Sequence, residues 1–182
     1  MKLLIASDLH GSAYYTEALL RRVAEEKPDR VLLLGDLLYH GPRNDLPREY
    51  DTKKCAALLN ALDPAPLCVR GNCDAEVDQM VLSFPVLTEF AAVNVDGFFL
   101  FMTHGHHLEE ATGQVTAGNA VLYGHTHLPD FTERNGVWFV NPGSVSIPKG
   151  GSAHSYLIYE DGAFFWKDAE NGEILRTERV KA

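Results

Sequence analysis

The chain has 182 residues, 46% hydrophobic and 23% charged. That is ordinary globular make-up in a length suited to one domain, and it excludes disordered, collagen-like and coiled-coil classes. The 16 Lys and Arg against 25 Asp and Glu give a net charge of −9. Such a balance argues against non-specific binding to nucleic acid or to an anionic membrane, yet leaves a phosphate substrate open, because bound metal reverses the sign locally.

In chain order, Lys2–Ser7 is a short apolar run and predicts a buried strand. Tyr14–Lys27 places Ala18, Leu19 and Val23 at helical spacing and stops at Pro28. Val31–Leu34 is a second strand, closed by Gly35-Asp36. Thr52–Leu62 is a second helix, stopped by Asp63-Pro64. Leu67–Val69 is a third strand. This β-α-β-α-β order predicts parallel strands with helices on at least one face. Phe98–Thr103, Ala120–Tyr123, Asp130–Arg134, Val137–Val140, Tyr156–Glu160 and Ala163–Lys167 then read as strands. Asn135-Gly136 and Asp161-Gly162 are two-residue hairpin turns. Two packed sheets with helices outside is the economical architecture, in a single domain spanning 1–182. Periodicity alone does not distinguish it from one mixed sheet.

Cys55, Cys68 and Cys73 are too few for a disulfide framework or a Cys-rich zinc site, and their odd number suits a reducing compartment. Cys55 and Cys68 read as core packing. The first apolar run meets Asp8 and His10 at once, too early for a signal segment. No stretch approaches the roughly 20 apolar residues of a membrane span. A soluble cytoplasmic protein is expected. The aromatic strand around Phe164-Phe165-Trp166 packs internally or across a homo-oligomer interface, and the sequence does not choose. Trp138 and Trp166 read as core or interface residues.

The residues just after each strand are more informative. The first strand leads into Asp8-Leu9-His10-Gly11, the second into Gly35-Asp36, and the third into Arg70-Gly71-Asn72-Cys73-Asp74. Phe98–Met102 leads into Thr103-His104-Gly105-His106, and Ala120–Tyr123 into Gly124-His125-Thr126-His127. Ligands bind at the carboxyl edge of open α/β sheets. Each fragment alone is equally a turn or a helix cap; five in one chain point to one site. In an extended segment His125 and His127 would project to the same side. The pooled set is Asp8, His10, Asp36, Asn72, His104, His125 and His127. Carboxylate, imidazole and amide donors suit Mn, Fe, Zn or Co better than Ca or Cu(I). Seven donors exceed one tetrahedral ion and suit two ions about 3.5–4 Å apart sharing a carboxylate.

The order and spacing of Asp8-x-His10, Gly35-Asp36, Gly71-Asn72-Cys73-Asp74, His104 and Gly124-His125-x-His127 resemble the calcineurin-like metallophosphoesterase superfamily. His40-Gly41-Pro42-Arg43-Asn44 and the segment Asn141–Gly150 narrow the resemblance to its small bacterial phosphodiesterases. The resemblance implies a four-layer α-β-β-α sandwich. It implies one metal on Asp8, His10, Asp36 and His127, and a second on Asp36, Asn72, His104 and His125, with Asp36 bridging. It favours Mn, with Zn, Fe, Ni, Co or Mg as alternatives, and a water or hydroxide between the metals as nucleophile toward a small phosphodiester. Where the superfamily commonly carries a histidine after the motif asparagine, this chain has Cys73, a weak donor. Leaving-group protonation is therefore open, substrates with acidic leaving groups are favoured, and His106 or His107 is a candidate proton donor. Arg43 and Asn44 are candidate phosphate contacts, each equally readable as a surface residue. Asp74 orients a ligand or caps a short helix. Asn141–Gly150 is expected to form a wall of the site. The alternatives are a phosphomonoester, nucleotide or pyrophosphate substrate on the same site, or a non-catalytic scaffold like the retromer subunit that shares this fold.

Overall fold

The computed structural model describes residues 1–113 and 115–180. Its elements run β1 (Leu3–Ala6), α1 (Ala13–Glu26), β2 (Arg30–Leu33), α2 (Thr52–Asn60), β3 (Leu67–Cys68), α3 (Glu76–Gln79), β4 (Ala91–Val95), β5 (Phe98–Met102), α4 (Leu108–Thr112), β6 (Ala120–Leu122), β7 (Pro129–Arg134), β8 (Val137–Pro142), β9 (Ser155–Glu160), β10 (Ala163–Asp168) and β11 (Ile174–Arg179). They form a six-stranded sheet in the order β11-β10-β9-β1-β2-β3 and a five-stranded sheet in the order β4-β5-β6-β8-β7.

Leu3–Ala6 is apolar at every position because both of its faces are covered. Leu4 and Ala6 pack with Leu19, Cys55 and Leu59 beneath α1 and α2. Leu3 and Ile5 pack with Leu100, Met102, Leu122 and Val140 of the facing sheet. A strand buried on both sides has no reason to alternate. Ser12 caps α1 by accepting from the Tyr15 N–H, and Asp51 caps α2 by accepting from the Lys54 N–H. On the far side of the second sheet, Val121, Tyr123, Val137 and Phe139 are met by Leu108 of α4. The outermost layer is thin there, a helix of 5 residues.

The three parallel strands β1, β2 and β3 arise as the β-α-β-α-β order requires. The hairpins at Asn135-Gly136 and Asp161-Gly162 also form, with both residues of each turn at positive φ. Phe164 and Trp166 are fully internal and settle that choice for their own side chains, while Trp138 is partly buried against the same core. β4 and β11 are additional to the expected strands. β4 sits before Asp96-Gly97, a hairpin turn of the same kind as the other two. After the second sheet is laid down, the chain returns and places β9 antiparallel beside β1. The carboxyl ends of β1, β2, β3, β5 and β6 consequently meet along one edge.

Candidate metal centre

Loops leaving β1 and β2 stay zipped beyond the strands: Asp8 N–H donates to Gly35 O, His10 N–H to Asp36 O and Gly11 N–H to Leu37 O. Asp8, His10, Asp36, His125 and His127 all take left-handed backbone conformations, with φ of 58°, 45°, 55°, 64° and 59°. Non-glycine residues rarely do so, and five at one place mark strain that the surroundings must hold. This corrects the extended reading of His125-Thr126-His127. The segment turns tightly, so its two rings diverge: His125 stands 5.2 Å from the His104 ring, and His127 stands 5.0 Å from the His10 ring.

Two glycines permit the closeness. A Cβ on Gly71 would sit 2.1 Å from Asp36 Oδ1, and one on Gly124 would sit 1.9 Å from Ser7 Oγ and 2.7 Å from Asp8 Oδ2. Each sheet also bonds to the other here. The His125 N–H donates to Asp8 Oδ2, and His104 Nδ1–H donates to Leu34 O.

The ring orientations are fixed in the same manner three times. His10 Nδ1–H donates to Tyr39 O at 2.8 Å, His104 Nδ1–H to Leu34 O at 2.7 Å and His127 Nδ1–H to Ile147 O at 2.6 Å. A carbonyl only accepts, so each Nδ1 carries a proton and each ring turns its Nε2 inward, the atom left to bind a metal. The inward atoms crowd together. His10 Nε2 lies 3.2 Å from His127 Nε2, and these lie 3.6 and 3.3 Å from Asp8 Oδ1. Asp8 Oδ1 is buried and has no hydrogen-bond partner among the described residues. Asp36 Oδ2 is 3.6 Å from His10 Nε2 and 3.4 Å from His104 Nε2, so it stands between two imidazoles from different sheets. His104 Nε2 is 3.1 Å from Asn72 Oδ1. Imidazole Nε2, carboxylate and amide oxygens converging at these distances form a donor set for a cation, and the residues fit divalent metal.

The charges agree. Burial alone would raise Asp8, but His10 and His127 outweigh it and hold its carboxyl far below the usual range. Burial would likewise raise Asp36, and His104 reverses that. Burial would lower His104, but Asp36 and Asp8 push it up to about 9. His125 and His106 are both lowered, by burial first and then by the positive charge of His104.

Between the two roles that the sequence leaves open for Asp74, the structure chooses the first: it is the brace under Asp36. It is 3% exposed, and it accepts from the N–H groups of Asp36, Leu37 and Gly71 at 2.8, 2.9 and 2.7 Å. Burial raises it to about 6 against those bonds. It orients the ends of β2 and β3 and does not cap α3. Asn141–Gly150 proves to be mostly a support beneath the site. Ser144 and Ser146 hydroxyls both donate to the carbonyl of strained Asp8, and Asn141 Nδ2 donates to Gly124 O. Only Lys149, from its end, reaches the cleft wall.

That cleft, about 350 Å³, is lined by His10, Asp36, Asn72, His125 and His127, and by Arg43, Asn44 and Cys73. Arg43 is exposed. Asn44 Nδ2 donates to His40 O and steadies the loop. Cys73 N–H donates to Asp36 Oδ1, while burial and Asp36 push its thiol up to about 12, leaving a small neutral group. His106 lies on an adjoining groove with Arg70 and Asn72, its ring 5.5 Å from that of His104. His107 is exposed on the same groove.

Carboxylates and imidazoles delivered from the carboxyl ends of two facing sheets, three of the imidazoles oriented by backbone carbonyls, make this an α/β sandwich of the metallohydrolase type. The chain belongs to the calcineurin-like phosphoesterase superfamily, whose domain profile matches residues 1–161. It is 46% identical over 162 residues to phosphodiesterase YfcE of Escherichia coli K12, covering 88% of each chain. It superposes on the solved structure of Yfce, a phosphoesterase from E. coli, with a TM-score of 0.93 and 40% identity over 100% of both chains. Vacuolar protein sorting 29 from Cryptosporidium parvum shares the fold, at TM-score 0.70 and 18% identity over 100% of this chain and 98% of that one. Among the described residues no helix is long and apolar enough to cross a membrane.

Proposed function

We propose that the whole chain acts as one domain, a cytoplasmic metal-dependent phosphodiesterase acting on a small diester through two divalent ions, Mn being favoured. Asp8, His10, Asp36 and His127 would hold one ion and Asp36, Asn72, His104 and His125 the other. The observation that carries this is Asp36 Oδ2 between His10 and His104, a shared carboxylate between two donor sets. The metals, when bound, acidify a water for in-line attack on phosphorus and offset charge on the phosphate oxygens.

The protein supplies the rest. Asp74 fixes Asp36 through three backbone bonds, so the shared carboxylate does not swing as charge moves. Arg43 lines the cleft and would offer a guanidinium fork suited to a phosphate oxygen, and Asn44 holds that loop in place. Asn72 stays in contact with His104 on the side that opens to His106, where the departing oxygen meets solvent and imidazole. Cys73 keeps its proton and donates weakly, so phenolate-like leaving groups depart best. Complete donor sets support an enzyme over a scaffold.

The test is hydrolysis of bis(p-nitrophenyl) phosphate by metal-stripped protein with and without Mn²⁺. Mn-dependent turnover is expected. Folded protein that stays inert with Mn²⁺ and the other first-row divalent ions would overturn the reading.

A further inference from the structure

A second depression of about 540 Å³ adjoins the cleft, and Cys73 lines both. The junction is made of small groups. A Cβ added to Gly41, on the cleft side, would lie 3.1 Å from Cys73 Sγ. Two of the depression's lining residues are aromatic, Tyr39 and Tyr50, and the His40 ring packs edge-on against both, at 4.8 and 5.3 Å. Val77, on α3, and Val81, just after it, also line the depression, with Thr52, Lys53 and Asp78. Tyr39, Val77 and Val81 are 43%, 62% and 50% exposed. Apolar side chains gathered around one open groove are uncommon on a solvated surface unless something docks there. The Tyr39 carbonyl also holds His10 Nδ1, so the Tyr39 side is tied to the metal centre.

At the other end, Asn72 joins the cleft to the groove of Arg70, Glu89, His106 and His107. The flanks differ in balance: this one is mostly charged and polar, the other mostly apolar and aromatic. A leaving oxygen gathers negative charge and needs donors; the Arg70–His106 flank sets a guanidinium and an imidazole beside Asn72, whereas the Tyr39–Val77 flank, though Thr52, Lys53 and Asp78 also line it, is mainly aromatic and aliphatic. We propose that the groove between Tyr39 and Val77 receives the ester arm that stays on phosphorus, and that this arm is a plain aromatic ring. The proposal rests on the phosphodiesterase reading and adds the chemistry of the retained arm. A ring meets the tyrosines edge-on or offset and the valines face-on, and its burial against both favours binding by the hydrophobic effect. Cys73 acts as a specificity residue here: a side chain of ring size would narrow the passage.

The experiment compares methyl p-nitrophenyl phosphate with phenyl p-nitrophenyl phosphate, which share a leaving group and differ only in the retained arm. With Mn-loaded protein, kcat/KM should favour the phenyl ester by roughly tenfold or more, carried mainly by KM. Val77→Asp and Val81→Asp, both at exposed positions, should reduce that ratio to about one to three, whereas Val77→Leu should keep it. A second readout needs no turnover: diphenyl phosphate should shift the methyl NMR signals of Val77 and Val81, and dimethyl phosphate should not. Equal kcat/KM for both esters with no such shifts overturns the groove and spares the phosphodiesterase. No hydrolysis of either ester, with the shifts present, overturns the phosphodiesterase and spares the groove. A thymidine 5′-(p-nitrophenyl phosphate) that outperforms the phenyl ester also overturns the proposal, since the groove would then be reading a polar nucleoside.

Discussion

The floor of the cleft and its rim are built on opposite principles. On the floor, Asp8, His10, Asp36, His104 and His127 are buried, and each is tied by a backbone group or a second residue. Strained conformations survive there because neighbours over-determine them. On the rim, Arg43, Thr126 and Lys149 are exposed side chains on turns. The chemistry is thus locked to the scaffold, and substrate choice is left to groups that can be exchanged without disturbing it.

The largest effect should come from the centre of the floor. Asp36→Asn is expected to cost at least about 10²–10³-fold in kcat and to empty both metal positions together, read by metal analysis alongside turnover. Retained turnover with full occupancy would break the comparison at its root. Next comes the brace. Asp74→Ala leaves the N–H groups of Asp36, Leu37 and Gly71 without partners; about 2–4 kcal/mol of stability and roughly 10–100-fold in metal affinity should be lost, measured by denaturation and by metal titration.

Protonation gives a third test. In the metal-free protein His104 titrates at about 9 and His10 is raised as well, because buried carboxylates face them. Below that pH the ring is mainly protonated, and metal must displace the proton. Affinity should therefore rise with pH up to about 9, by as much as about tenfold per unit for each proton displaced. Calorimetry at pH 7 in buffers of different ionisation enthalpy should count at least about one proton released on metal binding. The rim should respond least. Arg43→Ala is expected to raise KM by roughly tenfold with kcat nearly held; a fall in kcat as deep as that of Asp36→Asn would mean that floor and rim are not separate.

The floor was legible in the sequence because each parallel strand closes on an Asp, Asn or His beside a glycine, and chain order alone brings carboxyl ends together. Its supports were not. Asp74 reads as well as a cap, and what decides is that its oxygens meet three N–H groups from two loops. Ser144 and Ser146 reach the Asp8 carbonyl across more than a hundred residues, beyond any local pattern. The left-handed turn at His125 and His127 was also hidden, since only Gly124 hints that the backbone must pass close to Ser7. Among the strands, β4 carried a usable signal in Asp96-Gly97. β11 is mostly exposed, and its sequence ILRTER lacks an apolar face. That β9 joins the first sheet depends on a partner about 150 residues away in the chain.

That return has a consequence for how the molecule comes into being. β1 is flanked by β2 on one side and by β9 on the other. A ribosome makes the chain in N-to-C order, so every proposed metal-binding side chain, the last being His127, has been made before Ser155 begins β9. Until then one edge of the most apolar strand is open, a template for wrong pairing. Contacts this distant in sequence form slowly. Truncating the chain before β9 should therefore yield insoluble protein despite an intact set of metal-binding residues, and the nascent polypeptide should gain competence only once β9 has emerged.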